Sequence, residues 1–163
     1  MKLIALMKIV VLLITIWAGT ALADESRFIF SDQTVKDKNT GLIWTRDANL
    51  GKLEWNGASE LVKKLNEKEY AGAKDWRLPS KEELRTLILY AMSVGYDGRP
   101  ESPSPYNLLN KIGFNNVQLC EYLTSNPYEV DTSYTWVISM FDGTERSENK
   151  EHDFCVWPLR VGE

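Results

Sequence analysis

Asp75-Trp76-Arg77-Leu78-Pro79-Ser80-Lys81-Glu82-Glu83-Leu84 is the stretch whose reading decides the fold. Pro79 pushes Leu78 out of the α region, so Asp75 to Pro79 reads as a short extended segment. Ser80 and Glu83 then form a capping box: the Ser80 hydroxyl accepts from the Glu83 amide while the Glu83 carboxylate reaches back to the Ser80 amide. Leu84, Leu87, Ile88 and Ala91 follow at spacings of three and four, the apolar face of a helix that ends near Gly95. Strand alternation sends Trp76 and Leu78 to the core and leaves Asp75 and Arg77 together on the other face. There they can orient a ligand, or hydrogen-bond a neighbouring loop and pair with charges such as Glu83 and Arg160. The structural role is the expectation.

Upstream, Trp55, Ala58, Leu61, Val62 and Leu65 predict another amphipathic helix over Trp55 to Tyr70, broken at Ala71-Gly72-Ala73-Lys74. Val35 to Arg46 reads as a hairpin turning on Lys38-Asn39-Thr40-Gly41, and Arg27 to Phe30 as a run able to start a sheet. Asp37 and Asn39 invite a calcium reading, but the further oxygens and closing bidentate Glu of a calcium loop are missing. Downstream, Tyr96 to Lys111 is a long loop with a turn of helix at Tyr106 to Asn110, of the kind often found functional. Cys120–Thr124, Tyr134–Phe141 and Phe154–Val161 read as strands, with a hairpin at Asp142-Gly143 returning Thr144–Arg146. Glu145 to Asp153 reads as a charged, solvated excursion.

Helices early and strands at both ends indicate α+β rather than alternating βαβ. Both helices are expected on one side of a sheet, with the first and last strands side by side.

The chain has 163 residues and its first 23 differ from the rest. Two lysines precede the apolar run Ile9 to Ala18, and Ala21-Leu22-Ala23 has the form of a cleavage site, the layout of a secretory signal peptide. The expectation is residues 1–23 as signal and 24–163 as one exported domain, periplasmic or extracellular. After Ala23, 17 basic and 23 acidic residues remain, a formal charge of −6, which argues against a nucleic-acid partner. No later stretch reaches the ~18 apolar residues of a membrane span. Oligomeric state is not legible.

Five Trp, seven Tyr and five Phe remain after Ala23. They suit a core of large rigid side chains, with a carbohydrate-stacking face as the alternative. Cys120 and Cys155 are the only cysteines; in an exported chain they read as a disulfide, against two separate thiols or one reactive thiol. Their strands are pictured as antiparallel neighbours. His152 is the only histidine, so neither a metal site nor a Ser-His-Asp set is expected, and no spacing among the acids selects a glycosidase pair. No catalytic residue, metal or cofactor is assigned.

Together the segments resemble the C-terminal domain family of the Legionella collagen-like protein. Its pattern is matched by Val35-x-Asp37-x-x-Thr40-Gly41-Leu42-Ile43-Trp44, Trp55-x-x-Ala58 and Gly72-x-x-Asp75-Trp76-Arg77-Leu78-Pro79-Ser80-x-x-Glu83-Leu84. Downstream matches are Tyr122-x-Thr124-Ser125, Trp136-Val137-x-x-x-Phe141-x-Gly143 and Val156-Trp157-Pro158-Leu159-Arg160. Leu123 stands where the family usually has a Trp. The resemblance marks Trp44, Asp75, Trp76, Arg77, Leu78, Pro79, Glu83, Trp136 and Arg160 as motif positions.

The resemblance implies a C-type-lectin-like α+β fold, with two helices packed on antiparallel sheets and termini close together. It also implies an exported bacterial binding module, whose founding relative is similar to an adhesin for sulfated glycosaminoglycans. A charge of −6 opposes such a polyanion, although Lys63, Lys64, Lys68 and Lys74 lie close in sequence. The expectation is a non-catalytic module for an unidentified glycan or protein, binding through residues 96–116 or 126–133. Calcium-lectin triplets are absent, and Asn126-Pro127 is only a fragment of one. The alternative is an enzyme of the formylglycine-generating type using Cys120 and Cys155.

Overall fold

The computed structural model describes residues 26–162; the expected signal peptide and its cleavage site lie outside them. A four-stranded sheet runs in the order β1-β2-β3-β9, from Phe28–Phe30, Thr34–Asp37, Leu42–Thr45 and Leu159–Val161. A five-stranded sheet runs β4-β8-β5-β6-β7, from Lys52–Leu53, Phe154–Cys155, Glu121–Pro127, Tyr134–Ser139 and Glu145–Asn149. The helices are α1 (Trp55–Glu67), α2 (Lys81–Ser93) and α3 (Pro105–Ile112). All strand pairs are antiparallel except β5–β8. This is α+β and fits the C-type-lectin-like expectation, with α3 a third helix where a single turn was expected.

Alternation along the strands explains the layering. Val35, Trp44 and Leu159 are cross-strand partners on the inner face of the four-stranded sheet and are fully buried. Tyr122 and Ile138 pair on the facing side of the five-stranded sheet, and Leu84, Leu87 and Ile88 of α2 and Leu109 of α3 join them in the main core. Leu123 and Val137, one residue along, point the opposite way. They pack with Val156, Phe154, Leu78 and Ala58 of α1 in a second core. The helices therefore sit on opposite faces of the five-stranded sheet rather than on one side. Each has one apolar face, but β5 and β6 are apolar on both, so the sheet accepts a helix on each side.

The predicted final strand is two strands, because the chain changes sheets at Val156-Trp157-Pro158. Val156 donates to the Gly51 carbonyl at 3.0 Å, and the Pro158 carbonyl accepts from the Thr45 amide at 3.1 Å. Between them Trp157 is fully buried, with its Nε1 donating to the Thr45 carbonyl at 2.9 Å and its ring against Trp44, Phe114 and Tyr122. The N- and C-terminal strands share a sheet but are not side by side: β1 and β9 are its two edges, and β9 pairs with β3.

The charged excursion is instead mostly β7. Its charges suit an edge strand, which they protect from further pairing, and they are engaged: Glu145 with Lys81 and Arg85, Arg146 with Glu121. The Asp142-Gly143 turn forms as predicted. Gly143 has φ 72°, and a Cβ there would stand 2.6 Å from Ile88 Cγ2, so the turn and its contact with α2 both require glycine. α1 ends at Glu67, three residues earlier than expected, and the chain turns through a short 3-10 segment, Tyr70–Gly72.

Candidate functional site

The Asp75–Glu83 motif is an internal brace. Trp76 is 2% exposed, and its Nε1 donates to the Tyr70 carbonyl at 2.8 Å. Asn66 clamps the Trp76 backbone from α1: its Nδ2 donates to the carbonyl at 2.9 Å, and its Oδ1 accepts from the amide at 2.7 Å. Arg77 exchanges both backbone hydrogen bonds with Leu159, so the motif is laid onto β9. Its guanidinium grips Glu83 through two bonds of 2.7 and 2.6 Å. The capping box is present as read: Glu83 accepts from the Ser80 amide at 2.7 Å and donates its own amide to Ser80 Oγ at 3.1 Å. Burial pushes the Glu83 carboxyl up, but the Arg77 guanidinium and the Ser80 amide outweigh it and hold it below its ordinary value. Leu78 and Pro79 are buried, and Asp75 faces solvent.

Trp44 lies fully buried in the main core. Trp136 is half-buried at the outer end of β6, with Lys81 Nζ 4.1 Å from its ring centroid, Tyr128 edge-on and its Nε1 donating to Glu129. Arg160 reaches the outer surface of the four-stranded sheet, 3.9 Å from Asp75. The sequence motif thus divides into a core brace and a small outward-facing charge group. Of the loop regions expected to bind, the first contains α3 in its second half, and the second carries Val130, 83% exposed.

Cys120 and Cys155 form a disulfide, with Cα atoms 6.3 Å apart. The pairing expected from the sequence is present, but the strand geometry differs. β5 and β8 run parallel, with Tyr122 opposite Cys155, and the bridge ties the start of β5 to the end of β8. A parallel pair with no crossover helix arises here because β8 enters the sheet between β4 and β5 on its way to the other sheet.

Beside this bridge lies a cleft of about 470 Å³, within the usual size range of ligand sites. Four segments converge to make it. Lys52 sits opposite Cys155, Ser139 opposite Glu121, and the Met140 amide donates to the Cys120 carbonyl at 3.0 Å. That last bond sets Leu119 and Phe141 on adjoining strand ends, 59% and 56% exposed. Lys52, Glu121, Ser139 and Asp153 form the polar rim. Glu121 is held by Arg146 at 3.2 Å. The result is an apolar platform ringed by carboxylates, an amine and a hydroxyl, on strand ends locked by a disulfide.

Sequence reasoning missed this cleft. Phe141 was visible only as the end of a predicted strand and a family position before a hairpin turn, Leu119 was not singled out, and nothing in their spacing says that they line one cleft. His152, by contrast, is where a charged loop would put it, exposed, with Nδ1 3.7 Å from Glu148. Among the described residues, no group of three or more His, Cys, Asp or Glu side chains is placed to hold a metal ion. No helix among them is long and apolar enough to cross a membrane.

No curated protein matches the sequence. The family model of the Lcl C-terminal domain matches residues 33–160, from the turn before β2 to Arg160 of β9, and so takes in the five-stranded sheet, the four-stranded sheet without β1, all three helices, the brace and the cleft. The chain belongs to the Lcl C-terminal domain family.

Proposed function

We propose that the protein is an exported, non-catalytic binding module that recognises a neutral glycan in the cleft beside the Cys120–Cys155 bridge. The observation that carries this reading is the pairing of exposed Phe141 and Leu119 inside a polar rim. An aromatic ring accepts the C–H face of a sugar, while Ser139, Glu121, Asp153 and Lys52 supply acceptors and donors for hydroxyls at its edge. Glu121 and Asp153 disfavour a sulfated chain at the same place, since desolvating like charges together is costly. Family membership is compatible with a binding module. The disulfide is compatible with export.

The alternative, an oxidase of the formylglycine-generating type, needs a reactive thiolate. The two cysteines are joined to each other and Cys155 is 3% exposed, which favours the binding reading. The test is an array of neutral, sulfated and peptide ligands probed with the exported protein and with Phe141→Ser. The expected result is capture of a neutral glycan, weakened at least about tenfold in the variant at unchanged melting temperature. Capture of sulfated chains alone, or binding indifferent to Phe141, would overturn the proposal.

A further inference from the structure

On the outer face of the four-stranded sheet the charge pattern reverses. Lys36, Ile43 and Arg160 are cross-strand partners on β2, β3 and β9, in one row on the outer face of the four-stranded sheet. The segment Gly72–Asp75 rises over this row and encloses a notch of about 640 Å³. Its floor is Ile43; Lys36, Lys74 and Arg160 line it, with Asp75 at one edge. Within a chain of charge −4, three cations around one apolar side chain are a local inversion.

Arg160 carries the argument further. Two other guanidiniums near the motif each hold a carboxylate through two bonds: Arg27 grips Asp37 through Nε and Nη2, and Arg77 grips Glu83 through Nη1 and Nη2. Arg160 has no such partner. Its Nη1 donates to the Val161 carbonyl at 3.3 Å, Asp75 stands off at 3.9 Å, and its Nε is buried without a hydrogen-bond partner. Buried donors are nearly always satisfied, and the Nε–Nη2 edge left over is the fork that fits a carboxylate side-on. Among the described residues Lys36 has no carboxylate within ion-pair distance, whereas Lys74 is 2.8 Å from Glu69.

We infer that this notch is a second binding site, separate from the cleft, and takes a single carboxylate carried on an aliphatic body. The carboxylate lies between Arg160 and Lys36, and the aliphatic part rests on Ile43. Counting Asp75 and Glu69 against the three cations leaves one net positive charge. That neutralises a monoanion and falls short of a phosphate dianion or a polysulfated chain. Ala73, which also lines the notch, is 8% exposed, so a ligand seated beside Arg160 changes its surroundings.

The experiment is a nuclear magnetic resonance titration of the exported protein at constant ionic strength. Its ligands are hexanoate and acetyl-leucine, which distinguish a free acid from a chain terminus, with hexanol and methyl sulfate alongside. Either carboxylate is expected to shift the Arg160 Nε–H, Ile43 and Ala73 signals at least about tenfold more tightly than hexanol or methyl sulfate. Lys36→Gln, which removes an outer-face side chain and leaves the brace intact, should weaken the response about tenfold, whereas Phe141→Ser should leave it unchanged. An equal response to methyl sulfate, a response insensitive to Lys36→Gln, or no response to either carboxylate would overturn the inference. A failure there leaves the cleft untouched, because the two sites share no residue.

Discussion

Replacing Trp76 with alanine removes the centre of the brace, and its cost can be worked from the contacts. The ring is 2% exposed and packs edge-on against Tyr70 at 5.7 Å. A buried Trp removes about 150–250 Å² from water, which at ~25 cal/mol per Å² and after allowing for the alanine gives about 3–5 kcal/mol. Large-to-small changes of this kind in other cores cost the same. The lost Nε1 bond adds little: the Tyr70 carbonyl also accepts from the Ala73 amide at 3.1 Å, so it is not left unpaired. The Asn66 clamp holds backbone atoms and survives the substitution. About 4 kcal/mol is a large part of the ~5–15 kcal/mol that holds a domain together, and for ~140 residues it lowers the melting temperature by about 10–15 °C. Urea titration with a melt by circular dichroism measures both. Trp76→Phe should recover more than half of the loss. An alanine variant that melts within a degree or two of the parent and loses glycan capture would make Trp76 a ligand platform and refute the brace.

Three further outcomes follow from the geometry. Asn66→Ala strips both partners from the Trp76 backbone and should cost about 1–3 kcal/mol in urea, with Asn66→Asp keeping the acceptor half; a neutral alanine variant would mean that water replaces the clamp. Cys120→Ser with Cys155→Ser opens a 35-residue separation and should cost about 3–4 kcal/mol, while native protein should resist thiol labelling; stoichiometric labelling without denaturant would revive the oxidase reading. Glu83 has its folded-state carboxyl held below the ordinary 4.5, so its stabilisation is complete above that value and is lost as the pH falls through the lower folded value. Glu83→Gln should therefore flatten the acid side of the stability profile without abolishing it, because Asp37, buried against Arg27, is also held low despite its burial.

What the sequence shows and hides follows from the range of each interaction. The capping box of Ser80 and Glu83, the Gly143 turn and the spacing of Leu84, Leu87 and Ile88 are local, and each forms as read. The Trp76–Leu78 alternation is local too and places both inside. Sheet membership is not local: Phe154–Val161 looks like one strand because nothing in Val156-Trp157-Pro158 announces a change of sheet. Apolar periodicity gave each helix an inward face but could not say which side of β5 and β6 it would meet. The Asn66 clamp had no signal, since a polar residue near a helix end usually faces water. Asn110 does the same for Val117, with bonds of 2.8 and 2.9 Å. The cleft was hidden for the same reason: Phe141 and Leu119 line it together because β5 pairs with β6 and the Met140 amide bonds the Cys120 carbonyl, contacts between segments far apart in the chain.

The central claim is that ligand binding happens at the disulfide-side cleft, without chemistry. The most direct measurement is hydroxyl-radical footprinting of the protein with any glycan captured on the array, followed by mass analysis of the released ligand. The account predicts protection of Phe141 and Leu119, unchanged labelling of Trp136 and Val130, and a glycan recovered intact. Protection at residues 126–133 with Phe141 still exposed, or a ligand recovered with altered mass, would contradict it.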